Sequence, residues 1–246
     1  SASARRSRWT PSTDCKQECV TFFMEYQTIT YKEIKENPEV TALMERGNDM
    51  LGVLGYTEHS KKHACKVAGG AGDILKALGY DKRVCELARI AGYMHDIGNC
   101  VNRVDHAHSG ALLAFQILRG LGMPPGEVAS VVSAIGQHDE KTGTAVDPVS
   151  AAVILADKSD VRRNRVRNRV KATFDKHDRV NYAAVAAELT VLPEKKTVQL
   201  DIELDEDICS ILDYFEIFLQ RMLMCKRAAE VLSLKFRMYA NGHKMC

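Results

Sequence analysis

The stretch Gly92-Tyr93-Met94-His95-Asp96-Ile97-Gly98-Asn99 decides how the chain reads. It closes a segment in which Val84, Leu87, Ala88, Ala91 and Met94 recur at helical spacing, with Asp81 placed to cap its start. His95 and Asp96 therefore stand side by side at a helix end. A His-Asp pair alone carries little, and the chain has another at His177-Asp178, in a polar stretch without partners that reads as structural. The company of His95-Asp96 gives it weight. His59 lies one helix upstream, His106 and His108 open the next helix, His138 closes the helix after that, and Asp157 follows the apolar Val153-Ile154-Leu155. Histidines and carboxylates recurring at the ends and inner turns of successive helices are what a bundle core collects into a metal site.

Working outward, Asn37-Pro38 supplies an N-cap and a first-turn proline for a helix toward Leu54. Thr57 is placed to cap the next helix, through His59, His63 and Val67 to Leu78, with Gly79 as its stop. In that register His63 shares a face with His59. Pro124-Pro125 start the helix that ends at His138, and Asp147-Pro148 start the one carrying Ile154, Leu155 and Asp157. Beyond these the period changes. Val198, Leu200, Ile202 and Leu204 alternate with Gln199, Asp201 and Glu203, the pattern of a half-buried strand. Asp205 or Asp207 leads into a long helix with Ile208, Ile211, Leu212, Phe215, Leu219, Met222 and Leu223 inward, and Leu234, Phe236 and Met238 alternate again. Strand–helix–strand is a small βαβ unit with parallel strands. The expected fold is mainly α: a tail over residues 1–30, a helical metal-binding bundle over 31–190 and a C-terminal α/β (βαβ) appendage over 191–246.

The 246 residues are 46% apolar, enough for a sizeable core. A formal charge of +2 provides no global field for nucleic acid. No apolar run reaches the roughly 18–20 residues that a membrane span needs. The first residues, Ser1 to Trp9, hold three arginines but no apolar signal core, so they read as a disordered tail. The 8 cysteines are scattered without a Cys-x-x-Cys pair and read as reduced thiols of a cytoplasmic protein. Cys15 and Cys19 lack the second pair that a structural metal site needs.

Imidazole and carboxylate together suit iron, manganese or zinc better than magnesium or calcium. The order His, His-Asp, two further His and Asp resembles the HD superfamily of metal-dependent phosphohydrolases over residues 57–170. The resemblance implies an HD-type helical bundle in which His59, His95, Asp96 and Asp157 hold one metal; its pattern does not use His63, which reads as structural. Asp96 then bridges to a second ion held by His138 and by His106 or His108. These two histidines point roughly 200° apart on a helix, and the apolar periodicity downstream suits either. The spacing His106-x-x-x-Gly110-Ala111, shared with bacterial HD hydrolases of diadenosine tetraphosphate, selects His106, as Ala156-Asp157-Lys158 also matches that branch. His138-Asp139-Glu140 is similar to the HD-GYP phosphodiesterases of cyclic dinucleotides. That branch, however, has Lys where Asn99 stands and a Gly-Tyr-Pro stretch that is missing here.

The implied activity is hydrolysis of a small, nucleotide-like phosphoester by a hydroxide shared between two divalent transition-metal ions, iron or manganese first, with zinc, cobalt or nickel as other occupants. Asp96 and Lys158 carry catalytic roles; Arg103, His108, Lys158 and Arg162 face the substrate; Asp160 anchors a ligand or a basic residue from behind. The rest of the basic run to Lys171 reads as a solvated face. Expected partners are the phosphorylated substrate and a second copy in a homodimer, with neither membrane nor nucleic acid. Two other readings share the ligand set: an HD-type diiron oxygenase, and a non-catalytic metal-bound sensor or interaction domain.

Overall fold

Capping side chains set most of the helix starts. A computed structural model describes residues 25–246; the arginine-rich start, Cys15 and Cys19 lie outside the described residues. Thr30 and Glu33 form a capping box on α1 (Tyr31–Glu36), and Asn37 caps α2 (Pro38–Val53) with Pro38 in its first turn. Ser60 caps α3 (Lys61–Ala77) and Asp81 caps α4 (Lys82–Met94). A single 3-10 turn, Ile97–Cys100, leads to α5 (His106–Gly120) and α6 (Pro125–Gly136). Asp147 and Ser150 box the start of α7 (Pro148–Lys158), α8 spans Lys176–Ala183, and Ser210 and Asp213 box α9 (Ile211–Val231).

The expected caps Asn37, Asp81 and Asp147 are the observed ones. Thr57 is not. Ser60 accepts from the Lys62 amide at 3.2 Å, so α3 begins after it. His59 falls in the preceding loop and His63 in the first helical turn.

Helices α3, α4, α6 and α7 pack together, and α7 is buried on every side from Val149 to Lys158. A helix apolar all round belongs in the middle of a bundle. Its C-terminal end therefore delivers Asp157 and Lys158 into the interior. Arg83 on α4 closes a fork onto Glu127 on α6, with Nε to Oε1 at 2.7 Å.

The C-terminal part holds a four-stranded sheet in the order β1 (Ala184–Leu192), β2 (Thr197–Leu204), β3 (Lys235–Ala240), β4 (His243–Lys244). β2 and β3 run parallel with α9 as their crossover, the anticipated βαβ unit. β1 and β4 add antiparallel edges. β1 crosses residue 190, and the sequence reading misses it because Ala184-Val-Ala-Ala-Glu-Leu189 has helical propensity; pairing with β2 overrides it. The inner face of α9 is also rotated from the expected one. Tyr214, Phe218, Met222, Cys225 and Ala229 are buried, while Leu212, Leu219 and Leu223 are 77%, 47% and 39% exposed. α9 packs against α7 as well as the sheet, and the α7 contact sets its roll. Among the described residues no helix is long and apolar enough to cross a membrane.

Burial pushes the Cys225 thiol up to about 12. Iodoacetamide at pH 8 should therefore leave Cys225 unlabelled in the folded protein while modifying the exposed Cys246. The folded value lies above the ordinary one, so the related stability is intact below about 8.5 and is lost as pH rises through the folded value. Peptide mass spectrometry reads the labelling, and rapid modification of Cys225 would contradict the packing.

Candidate metal centre

Five imidazoles are oriented by the same device. Each places Nδ1 against an oxygen that can only accept, which makes Nδ1 the donor and leaves the Nε2 lone pair free. His63 Nδ1 donates to Asp160 Oδ2 at 2.8 Å, and His95 Nδ1 to the Gly92 carbonyl at 2.8 Å. His106 donates to Arg103 O at 3.1 Å, His138 to Ile135 O at 2.6 Å and His59 to Thr57 O at 2.7 Å.

Four of the freed nitrogens, those of His63, His95, His106 and His138, converge on two carboxylates; His59 is not among them. Asp96 Oδ2 lies 3.1 Å from His95 Nε2 and 3.8 Å from His63 Nε2. Its other oxygen, Oδ1, lies 3.5 Å from His106 Nε2 and 3.9 Å from His138 Nε2. Asp157 Oδ1 joins the first pair, 3.3 Å from His63 Nε2 and 3.6 Å from His95 Nε2. Ligand atoms of His63, His95 and Asp157, and those of His95, Asp96 and His138, lie within 4.8 Å of one another.

These donors fit metal ions on a physical ground. His63 Nε2 and His95 Nε2 are fully buried and have no hydrogen-bond partner. An unpartnered buried nitrogen costs roughly 1–3 kcal/mol unless something satisfies it. The Nε2 atoms of His106 and His138 face each other at 3.1 Å with both Nδ1 protons committed elsewhere. Two lone pairs at that distance repel, and a shared cation relieves them.

The protonation states agree. Burial holds His59 and His138 well below the ordinary histidine value and lowers His106, keeping these imidazoles neutral. Burial would lower His95 too, but Asp96 and Asp157 beside it raise it; the charge that attracts a proton there attracts a metal equally. Burial opposes ionisation of Asp96 and Asp157. His95 and His59 for the first, and Lys158 and His63 for the second, nonetheless hold both carboxyls well below the usual range.

The remaining expected residues separate. His106 is in the cluster; His108 is exposed and turned toward Asp105 at 3.8 Å. Lys158 is buried between Asp157 Oδ2 at 2.7 Å and Glu140 Oε2 at 2.9 Å. Arg162 forks onto Asp160 at 2.6 and 2.9 Å, which ties it to the back of His63. Arg103 stays at the front, with Nη1 3.2 Å from Asn99 Oδ1 and 3.3 Å from His106 Nε2. Asn99 donates to Asp96 Oδ1 at 2.9 Å and so positions the central carboxylate.

A cavity of about 590 Å³ opens onto the cluster, lined in part by His59, Arg103, His106, Arg165 and Arg221. Tyr56 lies under Arg103, 5.7 Å from ring centroid to guanidinium carbon, and also lines it. His177 and Asp178 line the same cavity, although their surroundings in the sequence mark them as structural. The sequence reading gives no role to His63, Glu140, Arg165 or Arg221.

Gly98 sets the distance between the two halves of the cluster. A Cβ there would stand 2.0 Å from the His106 carbonyl oxygen and 2.4 Å from the Gly110 nitrogen, both backbone. Gly98→Ala should destabilise the protein by about 1–3 kcal/mol or more by overpacking. A melting temperature equal to the wild type would contradict this close approach.

The comparisons bear on the same segment. The HD domain family model matches residues 61–215, from the first residue of α3 into α9. An uncharacterized protein of Methanocaldococcus jannaschii is 30% identical over 203 residues, covering 72% of this chain and 76% of its own. The crystal structure of a predicted HD superfamily hydrolase from an uncultured Thermotogales bacterium matches 55% of this chain and 75% of its own at 25% identity, with a TM-score of 0.41. The family match spans most of the chain and includes His63, His95-Asp96, His106, His138 and Asp157, and the chain belongs to the HD domain family.

Proposed function

We propose that this protein is a metal-dependent phosphohydrolase acting on a small, nucleotide-like phosphoester. The observation that carries this reading is the division of Asp96: one oxygen faces His63 and His95, the other faces His106 and His138. One carboxylate placed between two histidine pairs suits a dinuclear centre better than a single ion. His63, His95, Asp96 and Asp157 would hold one ion, and Asp96, His106 and His138 the other, with His63 taking the place that the family resemblance assigned to His59. Iron or manganese suits this mixed donor set. Bound ions would supply a water of lowered pKa and positive charge for the phosphoryl oxygens.

The chain's own residues complete the site. Asn99 orients Asp96, and Asp160 orients His63 from behind. Arg103, held at the cavity wall beside His106, is placed to donate to a phosphoryl oxygen. Tyr56, stacked against Arg103, supports that guanidinium at the same wall.

Metal-reconstituted protein should release phosphate or a nucleotide from some member of a panel of nucleotides, dinucleoside polyphosphates and cyclic dinucleotides, and a chelator should abolish the release. No turnover across the panel by fully loaded protein would overturn the reading. Two single variants test the ligand set. His106→Ala should empty one position and leave the other filled, whereas the exposed His108 can be replaced by Ala with both ions retained. Loss of an ion in His108→Ala alone would show the wrong histidine chosen.

A further inference from the structure

Arginines in the interior of this protein are neutralised in two different ways. Away from the metal centre, Arg83 has Glu127 to itself in a bidentate fork. At the cavity, Arg165 and Arg221 each share a carboxylate that other cations already occupy. Arg165 is buried. Its Nε donates to the Glu58 carbonyl at 3.0 Å and its Nη1 to the Asp160 carbonyl at 2.8 Å, both neutral acceptors. The carboxylate near it, Asp160 Oδ2, is 3.7 Å away. Asp160 also holds Lys66 at 2.7 Å, Arg162 at 2.6 Å and His63 at 2.8 Å. One negative charge thus serves three permanent cations and an imidazole. Arg221, from α9, lies 3.4 Å from Glu140 Oε1, and Glu140 also receives Lys158 at 2.9 Å, whose other carboxylate, Asp157 at 2.7 Å, is a proposed metal ligand. The Arg221 guanidinium rests 4.7 Å over the Phe218 ring, and both side chains line the cavity.

Arg165 and Arg221 both line the cavity that opens onto the metal centre. A guanidinium held in place by backbone carbonyls or an aromatic face, with its charge incompletely balanced and donors left over, is a preorganised anion site. We propose that Arg165 and Arg221 bind the phosphate oxygens of the substrate, and that α9 of the C-terminal unit thereby completes the binding site. The substrate then carries anionic oxygens for these two arginines in addition to those nearest the metal ligands. Lys158 and Arg162, the basic residues nearest Asp157 in sequence, are committed to carboxylates and leave this role open. The inference rests on the phosphohydrolase reading and deepens it.

The test is calorimetric titration of the metal-reconstituted full chain with inorganic orthophosphate, with metal content and melting temperature measured on the same samples. Arg165→Gln and Arg221→Gln should each weaken phosphate binding by roughly tenfold or more, the scale of one charge-assisted hydrogen bond, with metal content unchanged. A purely structural role would lower the melting temperature and leave the phosphate affinity of the folded protein as it was. If Arg165→Gln does not fold, Arg165→Lys replaces it: the charge stays, the fork is lost, and binding should still weaken severalfold. Wild-type affinity in the variants overturns this inference while the phosphohydrolase reading stands. Absence of phosphate binding by the loaded wild-type chain overturns both.

Discussion

Asp96→Ala should strip most of the metal from the protein. Its two oxygens face separate histidine pairs, so a single truncation removes a ligand from each position. It also leaves four imidazoles around a space without its central anion. Losing an outer contact to a metal ligand costs about 10–100-fold in affinity or activity, and removing the shared ligand should exceed that range. Elemental analysis of the purified, reconstituted variant checks it, with circular dichroism to confirm the helices. Retention of wild-type metal content would mean that Asp96 does not join the two positions.

Lys158→Met should be among the most destabilising single changes. Lys158 is the buried cation between Asp157 and Glu140. Burial alone would lower its pKa, but the two carboxylates raise it, so it stays charged. Removing it leaves the buried Asp157 and the half-buried Glu140 short of a partner, a loss that approaches the roughly 3–5 kcal/mol of broken buried pairs. Burial works against ionisation of Glu140, yet Lys158 and Arg221 hold its carboxyl below the ordinary range. A depressed carboxyl contributes stability above its unfolded pKa, about 4.3 for Glu, and that contribution is lost as pH falls through the folded value. Urea unfolding at neutral pH, with and without chelator, measures the change. A difference under about 1 kcal/mol would show that the triad is not buried as described.

Much of this architecture is legible in the residues. His95-Asp96, His106, His138 and Asp157 stand at helix ends that proline, asparagine and aspartate caps announce. His63 is missed for a local reason: Thr57 and Ser60 are both good caps, and choosing Thr57 places His59 on the helix. The apolar stripe runs through His63 but does not separate it from His59, four residues earlier on the same face. His63, Val67, Ala71 and Ile74 follow at i, i+4, i+8 and i+11, and all are buried. Arg221 lies beyond such reasoning because the carboxylate beside it, Glu140, is far away in the chain, and Arg165 because a carbonyl that holds it belongs to the distant Glu58. Leu212, Leu219 and Leu223 misled for a similar reason. They form a regular stripe, but α9 faces both α7 and the sheet, and that second surface sets which side is buried. The same packing brings Arg221 to the cavity.

Metal stoichiometry of the wild-type chain tests the account most directly. After reconstitution with iron or manganese and removal of free ions, elemental analysis should find about two ions per chain, the number that a carboxylate shared between two histidine pairs implies. Under one ion per chain would contradict it.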